Sequence, residues 1–353
     1  MSLSRLTLEN FRSYKKDTFE FSPQNNIIIG PNGSGKTNIL EAIYFLASGK
    51  SFRSSSLSQL MAWNQNYVIV SGKIDHSQLE VQLSCPAQGQ NLSRKFLIDF
   101  IPKTRKNYLG NLKVVLFEPE DIRLVTGSPS RRRDFLDLIF LTFEWRYATA
   151  LSQYHRALKH RNELLDAIRE EKTSSSELFY WNQSLMKNCQ IIHDFRHQFV
   201  NSANIFFASH PYPEIQTLFL SYKPNHLNQD ILDSNFRQDL ALGYTVAGSH
   251  RDDFSLQSKL FSSVFDKNVA FWGSRGQQRL AALAIRLAQI NYLEETHKNR
   301  PLLLLDDIFS ELDANHRQLV IKICSGYQTI ITSSDESSAN LLPNPKQINL
   351  LQT

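Results

Sequence analysis

The sequence predicts an α/β fold in which two halves of one nucleotide-sized head flank a helical insertion. Three observations carry that reading. Residues 27–47 pass from an apolar β-branched run through a glycine-rich loop into a helical pattern. After Pro119, ninety residues hold only Gly127 and Pro129 as breakers. The tail then returns to α/β, with Leu302-Leu303-Leu304-Leu305 ending on Asp306-Asp307. A length of 353 residues suits about two domains. The composition shifts divide the chain into 1–118, a head half with a β-rich lobe; 119–240, a helical arm; and 241–353, the second head half.

In chain order, Leu6 and Leu8, then Phe19 and Phe21, alternate with polar neighbours as two half-buried strands do. Ile27-Ile28-Ile29 reads as a buried central strand, and Ile39, Ile43, Leu46 and Ala47 repeat at helical spacing behind the loop. Between 67 and 117 the pattern is sheet-like: Val68-Ile69-Val70, Leu79-Val81-Leu83, Phe96-Ile98 and Val114-Val115-Leu116-Phe117, with turns at Ser71-Gly72 and at residues 86–89. Tyr147, Leu151, Tyr154, Leu158, Leu165 and Ile168 recur every three or four residues, predicting two long helices broken near 172–176 as an antiparallel arm. A second strand-and-helix tract follows from Ile215. Residues 276–292 read as a helix, Leu302 to Leu305 as a buried strand, residues 316–324 as a helix and Thr329-Ile330-Ile331 as a strand.

Composition bounds the function. The chain is 41% hydrophobic and 21% charged, enough for a packed core. Its net charge of +5 permits an anionic partner. Cys85, Cys189 and Cys324 have no metal or redox spacing, which points to a reducing compartment. No apolar run approaches the roughly 18 residues of a membrane span, and residues 1–10 do not form a signal peptide. A soluble cytoplasmic chain without a membrane role is expected.

The chemistry starts at Gly30-Pro31-Asn32-Gly33-Ser34-Gly35-Lys36-Thr37, a P-loop pattern placed after a strand and opening a helix. Glycines let the backbone wrap phosphates, and N–H groups at the helix start face the anion. Lys36 is expected to reach the β- and γ-phosphates of ATP, and the Thr37 hydroxyl to ligate Mg²⁺. Asp306, at the carboxyl end of its strand, would hold the same Mg²⁺. Asp307, one residue on, is placed to take a proton from an attacking water.

The loop, Ser274-Arg275-Gly276-Gln277-Gln278 and residues 303–313 together resemble the ATP-binding-cassette ATPases of the SMC and RecF type. The resemblance implies an ABC-type ATPase head with a β-rich subdomain and an inserted arm. It also implies that Ser274, Gly276 and Gln277 cap ATP bound on a second copy, so that the homodimer forms on ATP, and that Ser310-Glu311-Leu312-Asp313 crosses that interface. Pro119-Glu120-Asp121-Ile122-Arg123-Leu124-Val125, Gly127, Pro129, Arg132-Arg133 and Leu136-Asp137 are similar to the pattern of the RecF branch of recombinational repair proteins. Asn10-Phe11-Arg12, Lys50-Ser51-Phe52-Arg53, the run Tyr154 through Lys159 and Ser249-His250-Arg251-Asp252-Asp253 resemble the same branch. The implied activity is ATP-dependent binding of double-stranded DNA near single-strand gaps, with slow DNA-stimulated hydrolysis, recombinase loading and RecO- and RecR-type partners. Asp307 stands where most cassette ATPases carry Glu, and Thr332-Ser333-Ser334 where many carry a γ-phosphate-sensing His.

Alternatives remain open at this level. A transporter's cytosolic ATPase and a non-hydrolytic nucleotide-gated scaffold share the loop and the acids, although Lys36 and Ser274 stand too far apart for a compact transporter subunit. Arg131-Arg132-Arg133, Lys103-Arg105-Lys106 and residues 155–161 read either as phosphate-tracking runs or as solvated faces paired with local acids. Arg12 and Arg53 are candidates for nucleotide contact. His250 has no second ligand at zinc spacing, and Asp252-Asp253 are candidate partners of Arg251.

Overall fold

The computed structural model describes residues 2–54, 56–85, 92–261, 267–297 and 300–350. The turn expected at residues 86–89 lies outside the described residues. The chain divides into two compact units, Met1–Asp121 with Leu293–Thr353, and Ile122–Tyr292.

In the first unit a five-stranded parallel sheet runs in the order Lys346–Asn349, Asn25–Ile29, Thr329–Ser333, Leu302–Asp306, Val114–Phe117. The three middle strands are almost wholly buried, as strands covered on both faces must be, with Ile27 to Ile29, Leu302 to Leu305 and Ile330-Ile331 as their apolar runs. A second, antiparallel sheet has six strands in the order Tyr14–Glu20, Leu3–Phe11, Tyr67–Ile74, Ser77–Ser84, Ser93–Ile98, Ile101–Lys103. The helix Lys36–Ser48 joins the two. Ile39, Leu40, Ile43 and Phe45 share one core with Leu6, Leu8, Val70 and Val81 of the antiparallel sheet and with Leu116, Leu304 and Ile330 of the parallel one. A helix apolar on nearly all sides is a buried helix.

Three features depart from the sequence pattern. No turn forms at Ser71-Gly72, which lies inside the strand Tyr67–Ile74 and is paired on both sides. Val114–Phe117, grouped above with the β-rich stretch, instead pairs in parallel with Leu302–Asp306 (Leu116 opposite Leu304). The edge strand Lys346–Asn349 was not anticipated, because its mostly exposed Lys-Gln-Ile-Asn sequence carries no apolar run.

The second unit holds the helices Trp145–Arg169 and Leu178–Ser209. Arg161 meets Asn182 near the turn and Tyr147 meets Arg196 farther from it, so the two helices run antiparallel, as expected. A three-stranded antiparallel sheet follows in the order Lys267–Asn268, Asp253–Ser258, Leu218–Lys223. Asn204 ties it to the long helix through both the N–H and the C=O of Leu220. Because Asp253–Ser258 pairs along its length with Leu218–Lys223, residues 241–292 belong to this unit. The division falls at 292/293, not at 240.

Candidate nucleotide-binding site

The loop after Asn25–Ile29 is shaped by its glycines. A Cβ on Gly30 would sit 2.7 Å from Ser34 Oγ and 2.9 Å from the Leu350 carbonyl. Gly35 has φ +95° and would press a Cβ to 2.6 Å from the Tyr14 hydroxyl. Lys36 opens the helix and folds back, its Nζ donating to the carbonyls of Gly30 (2.7 Å) and Pro31 (2.9 Å). Burial lowers the pKa of Lys36, against the charges of Asp307 and Asp306, which raise it. Ser34 Oγ is buried without a hydrogen-bond partner.

Asp306 closes the site from the neighbouring part of the sheet. Its Oδ1 accepts from the Thr37 hydroxyl (2.9 Å) and from the Thr332 hydroxyl (2.7 Å). Thr332 Oγ1 in turn accepts from the Asp307 N–H at 3.0 Å. Asp307 has φ +45°, a left-handed conformation that non-glycine residues seldom adopt. The strand end thus delivers two carboxylates, with Thr332 bonded to the Asp306 carboxylate and to the Asp307 backbone. Thr332 lies where the sequence left the γ-phosphate-sensing position empty of His, and here it bonds Asp306 and the Asp307 backbone.

A further constellation escaped the sequence reading. Glu41, one turn into the loop helix and fully buried, accepts from Arg12 Nε (2.9 Å) and Nη2 (2.7 Å) and from the Ser51 hydroxyl. Arg12 Nη1 donates to the Gln59 carbonyl, so all three guanidinium nitrogens bond within the protein. Arg53 is half-exposed and held by Asn38 Oδ1 at 2.9 Å.

The loop fits a nucleotide triphosphate with Mg²⁺. It has a cradle that a Cβ would fill, an orphaned Ser34 hydroxyl, an ammonium held by loop carbonyls, and hard oxygens from Thr37 and Asp306 of the kind Mg²⁺ takes. Pro31, Asn32 and Gly33 complete the turn, and Gly33 has φ +85°.

Ser274, Gly276 and Gln277 lie in the second unit, at the start of the helix Arg275–His297. They form a capping box, the Ser274 N–H donating to Gln277 Oε1 (2.8 Å) and the Gln277 N–H to Ser274 Oγ (3.4 Å). All three are exposed, and nothing lies within 4 Å of a Cβ built on Gly276.

The structure resolves the open readings of the Ser249–Asp253 motif and of part of the basic runs. Asp252 is buried and accepts from Arg196 Nη1 (2.6 Å), Tyr222 and the Asn225 N–H (2.7 Å), with His193 Nε2 at 3.1 Å. Asp253 takes Arg132 in a two-pronged pair at 2.6 and 2.9 Å. The partners are therefore Arg196 and Arg132, not Arg251, whose guanidinium lies over the Tyr244 ring. His250 Nε2 donates to the Thr245 carbonyl and its Nδ1 meets the Tyr154 hydroxyl; burial pushes its pKa down to about 4, so it is neutral. Arg133 donates to the Asp252 carbonyl and buried Arg161 to Asp239, so Arg132, Arg133 and Arg161 are internal ties. Among the described residues no helix is long and apolar enough to cross a membrane.

Residues 2–349 match the model of the RecF/RecN/SMC N terminal domain. The DNA replication and repair protein RecF of Lactococcus lactis is 36% identical over 359 residues, covering 97% of this chain and 95% of that protein. The protein of the same name from Staphylococcus carnosus is 33% identical over 355 residues, covering 95% and 93%. A solved structure of the recombination mediator protein RecF-ATPrS in the RecFOR pathway superposes with a TM-score of 0.84 at 28% identity, covering 98% of this chain and 95% of the other. An Smc head domain from Pyrococcus yayanosii shares the fold alone, with a TM-score of 0.53 at 14% identity, covering 99% and 94%. With the loop, the paired acids and the inserted arm matched from end to end, this chain belongs to the RecF/RecN/SMC family of ABC-type ATPases and, within it, to the RecF proteins.

Proposed function

We propose that this chain is an ATP-switched DNA-binding protein of recombinational repair and replication restart. Residues Gly30 to Thr37 bind ATP, with Thr37 and Asp306 holding Mg²⁺. Two copies close through Ser274, Gly276 and Gln277, and the dimer binds double-stranded DNA near single-strand gaps. RecO- and RecR-type proteins act with it to load the recombinase. The observation that carries the reading is the single Asp306 oxygen shared by Thr37 and Thr332 at the mouth of the loop. RecF membership disfavours the transporter reading.

When bound, Mg²⁺ supplies charge neutralisation at phosphate oxygens. The chain's own groups do the rest. Backbone N–H groups of the loop and the Lys36 ammonium bind and orient the anion. Thr332 holds Asp306 toward Thr37 and pins the Asp307 backbone, so that the Asp307 carboxylate can take a proton from water. An Asp reaches one methylene less far than a Glu would, which accounts for slow turnover.

Asp307→Asn tests the assignment. ATP binding should persist while turnover falls by about 10² or more, the scale of lost acid–base assistance. The ATP-bound dimer should accumulate, and DNA affinity at fixed salt should rise with it. Wild-type turnover in this variant would remove Asp307 from the chemistry. Turnover that is absent in the unaltered chain, with and without DNA, would favour the scaffold.

A further inference from the structure

The hairpin Ser93–Ile98 and Ile101–Lys103, at the free edge of the antiparallel sheet, turns through Asp99 and Phe100 with φ of 48° and 65°. Two-residue hairpin turns of this kind ask for positive φ at both positions and usually carry Asn-Gly or Asp-Gly. An aromatic residue at the second position is strained, and strain of this type collects at functional sites. The conformation is well anchored: Asp99 exchanges two hydrogen bonds of 2.8 Å with Gln78. The strain gains no burial in return, since Phe100 is 70% exposed and Ile101 58% exposed.

The base of the same hairpin carries two guanidiniums. Arg94 donates to the carbonyl of Gly49, the residue that ends the loop helix, and lies 5.2 Å over the Phe96 ring. The Phe96 ring packs at a tilt against Tyr108, centroids 4.8 Å apart, from the short helix Arg105–Tyr108. Burial lowers the pKa of Arg94, and the charge of Arg105 lowers it further; burial also lowers that of Arg105. Among the described residues neither arginine forms an ion pair with a carboxylate, and Arg105 Nε is buried with no hydrogen-bond partner. Two half-buried guanidiniums held together without an acid are costly unless an anion joins them. Lys103, exposed, extends the charge toward the tip.

We propose that this hairpin is the element that recognises the junction between duplex and single-stranded DNA: Arg94 and Arg105 take a backbone phosphate at its base, and Phe100 stacks on an unpaired base at its tip. The proposal rests on the DNA-binding reading above and gives it a site. At about 3.3 Å per strand residue, the phosphate site and the ring are roughly 15 Å apart, about four nucleotides along a strand. Phosphates are alike on any duplex, so the arginines give position. A ring can stack only on a base that has lost its neighbour or its partner, so Phe100 gives the junction preference. Alternating guanidinium and aromatic groups fit a nucleotide strand better than a purely apolar partner surface.

Two variants of the full chain, Phe100→Gly and Arg105→Gln, test it by fluorescence anisotropy on labelled blunt duplex and gapped duplex, with ATP and Mg²⁺, over a salt series. Glycine adopts φ +65° more readily than phenylalanine, so Phe100→Gly removes the ring without straining the fold. It should lower affinity for the gapped duplex about tenfold, within the range for one lost stacking contact, and leave the blunt duplex unchanged. Arg105→Gln should weaken both DNAs and reduce the salt slope by about 1. Nucleotide affinity should be unchanged in both variants. Phe100→Gly with wild-type affinity for the gapped duplex overturns the proposal and leaves the tip to a protein partner. An unchanged salt slope in Arg105→Gln, or lost nucleotide binding, overturns the phosphate site. An unaltered chain that binds neither DNA overturns the DNA reading itself, a result distinct from failure of the hairpin alone.

Discussion

Replacing Asp252 by Asn should destabilise the second unit far more than the same change at its neighbour Asp253. Asp252 has no exposed surface and faces four donors: Arg196, Tyr222, the Asn225 N–H and His193. Burial raises its pKa, but the bonds and charges of His193 and Arg196 and the Tyr222 bond outweigh this, so the carboxyl is held below its ordinary range. An asparagine offers one oxygen and an NH₂ group. Whichever way it turns, its own donors meet two of the four, and the cations Arg196 and His193 lose their buried counter-charge. Removing one partner of a buried ion pair costs about 3–5 kcal/mol. Asp137 also binds Arg196, at 2.7 Å, and retains part of the compensation, which favours the lower end. Asp253 is 32% exposed and holds Arg132 near the surface, so Asp253→Asn should cost about 1 kcal/mol. Urea denaturation followed by circular dichroism measures both. With a slope of about 1–3 kcal/mol per M, Asp252→Asn should move the midpoint of the second unit's transition by at least about 1 M. Equal shifts for the two variants would refute the claim that Asp252 is the hub.

Three other outcomes are expected. Burial pulls the pKa of His193 down, but bonds to Asp252 and Cys189 and the Asp252 charge raise it to about 9, above its ordinary value of 6.5. Its contribution to stability is therefore complete below about pH 6.5 and is lost as pH rises through about 9. Thermal melts from pH 6 to 10 should fall more steeply for the wild type than for His193→Gln, and parallel curves would exclude His193 as the source. Thr332→Val removes the hydroxyl that bonds both the Asp306 carboxylate and the Asp307 N–H, costing about 1–3 kcal/mol. It should also raise the Mg²⁺ concentration needed for ATP binding, and an unchanged Mg²⁺ titration would sink the orienting role. Ser274→Arg should keep ATP binding while blocking the ATP-dependent dimer, as light scattering would show; a dimer that persists means the capping box takes no part in closure.

The parts of this molecule that were legible in sequence are those whose chemistry is local. The loop is eight consecutive residues between a β-branched run and a helical repeat, and the acids directly follow an apolar strand. Glu41 was not legible because its partners come from two other segments, Arg12 before the loop and Ser51 after the helix. Thr332 was visible as a residue, but its bonds to the acids were not, because they depend on the neighbouring strand being Leu302–Asp306. The Ser249–Asp253 motif misled for the same reason. Adjacent opposite charges suggested a local pair, whereas Asp252 reaches Arg196 across 56 residues of chain.

The strand order of the parallel sheet bears on how the protein is made. Asn25–Ile29 is flanked by Lys346–Asn349 and Thr329–Ser333, and Leu302–Asp306 separates the latter from Val114–Phe117. The strand that leads into the nucleotide loop therefore has no sheet neighbour until the last tenth of the chain leaves the ribosome. At about 5–20 residues per second, the delay between synthesis of Ile29 and of its first partner is roughly 15–60 s. Through that interval Ile27, Ile28 and Ile29 are an unpaired apolar edge, while the contiguous 122–292 unit can fold on its own schedule. A nascent chain halted before residue 300 would carry a complete arm and no nucleotide site, and its bare strand would make it a client for chaperones.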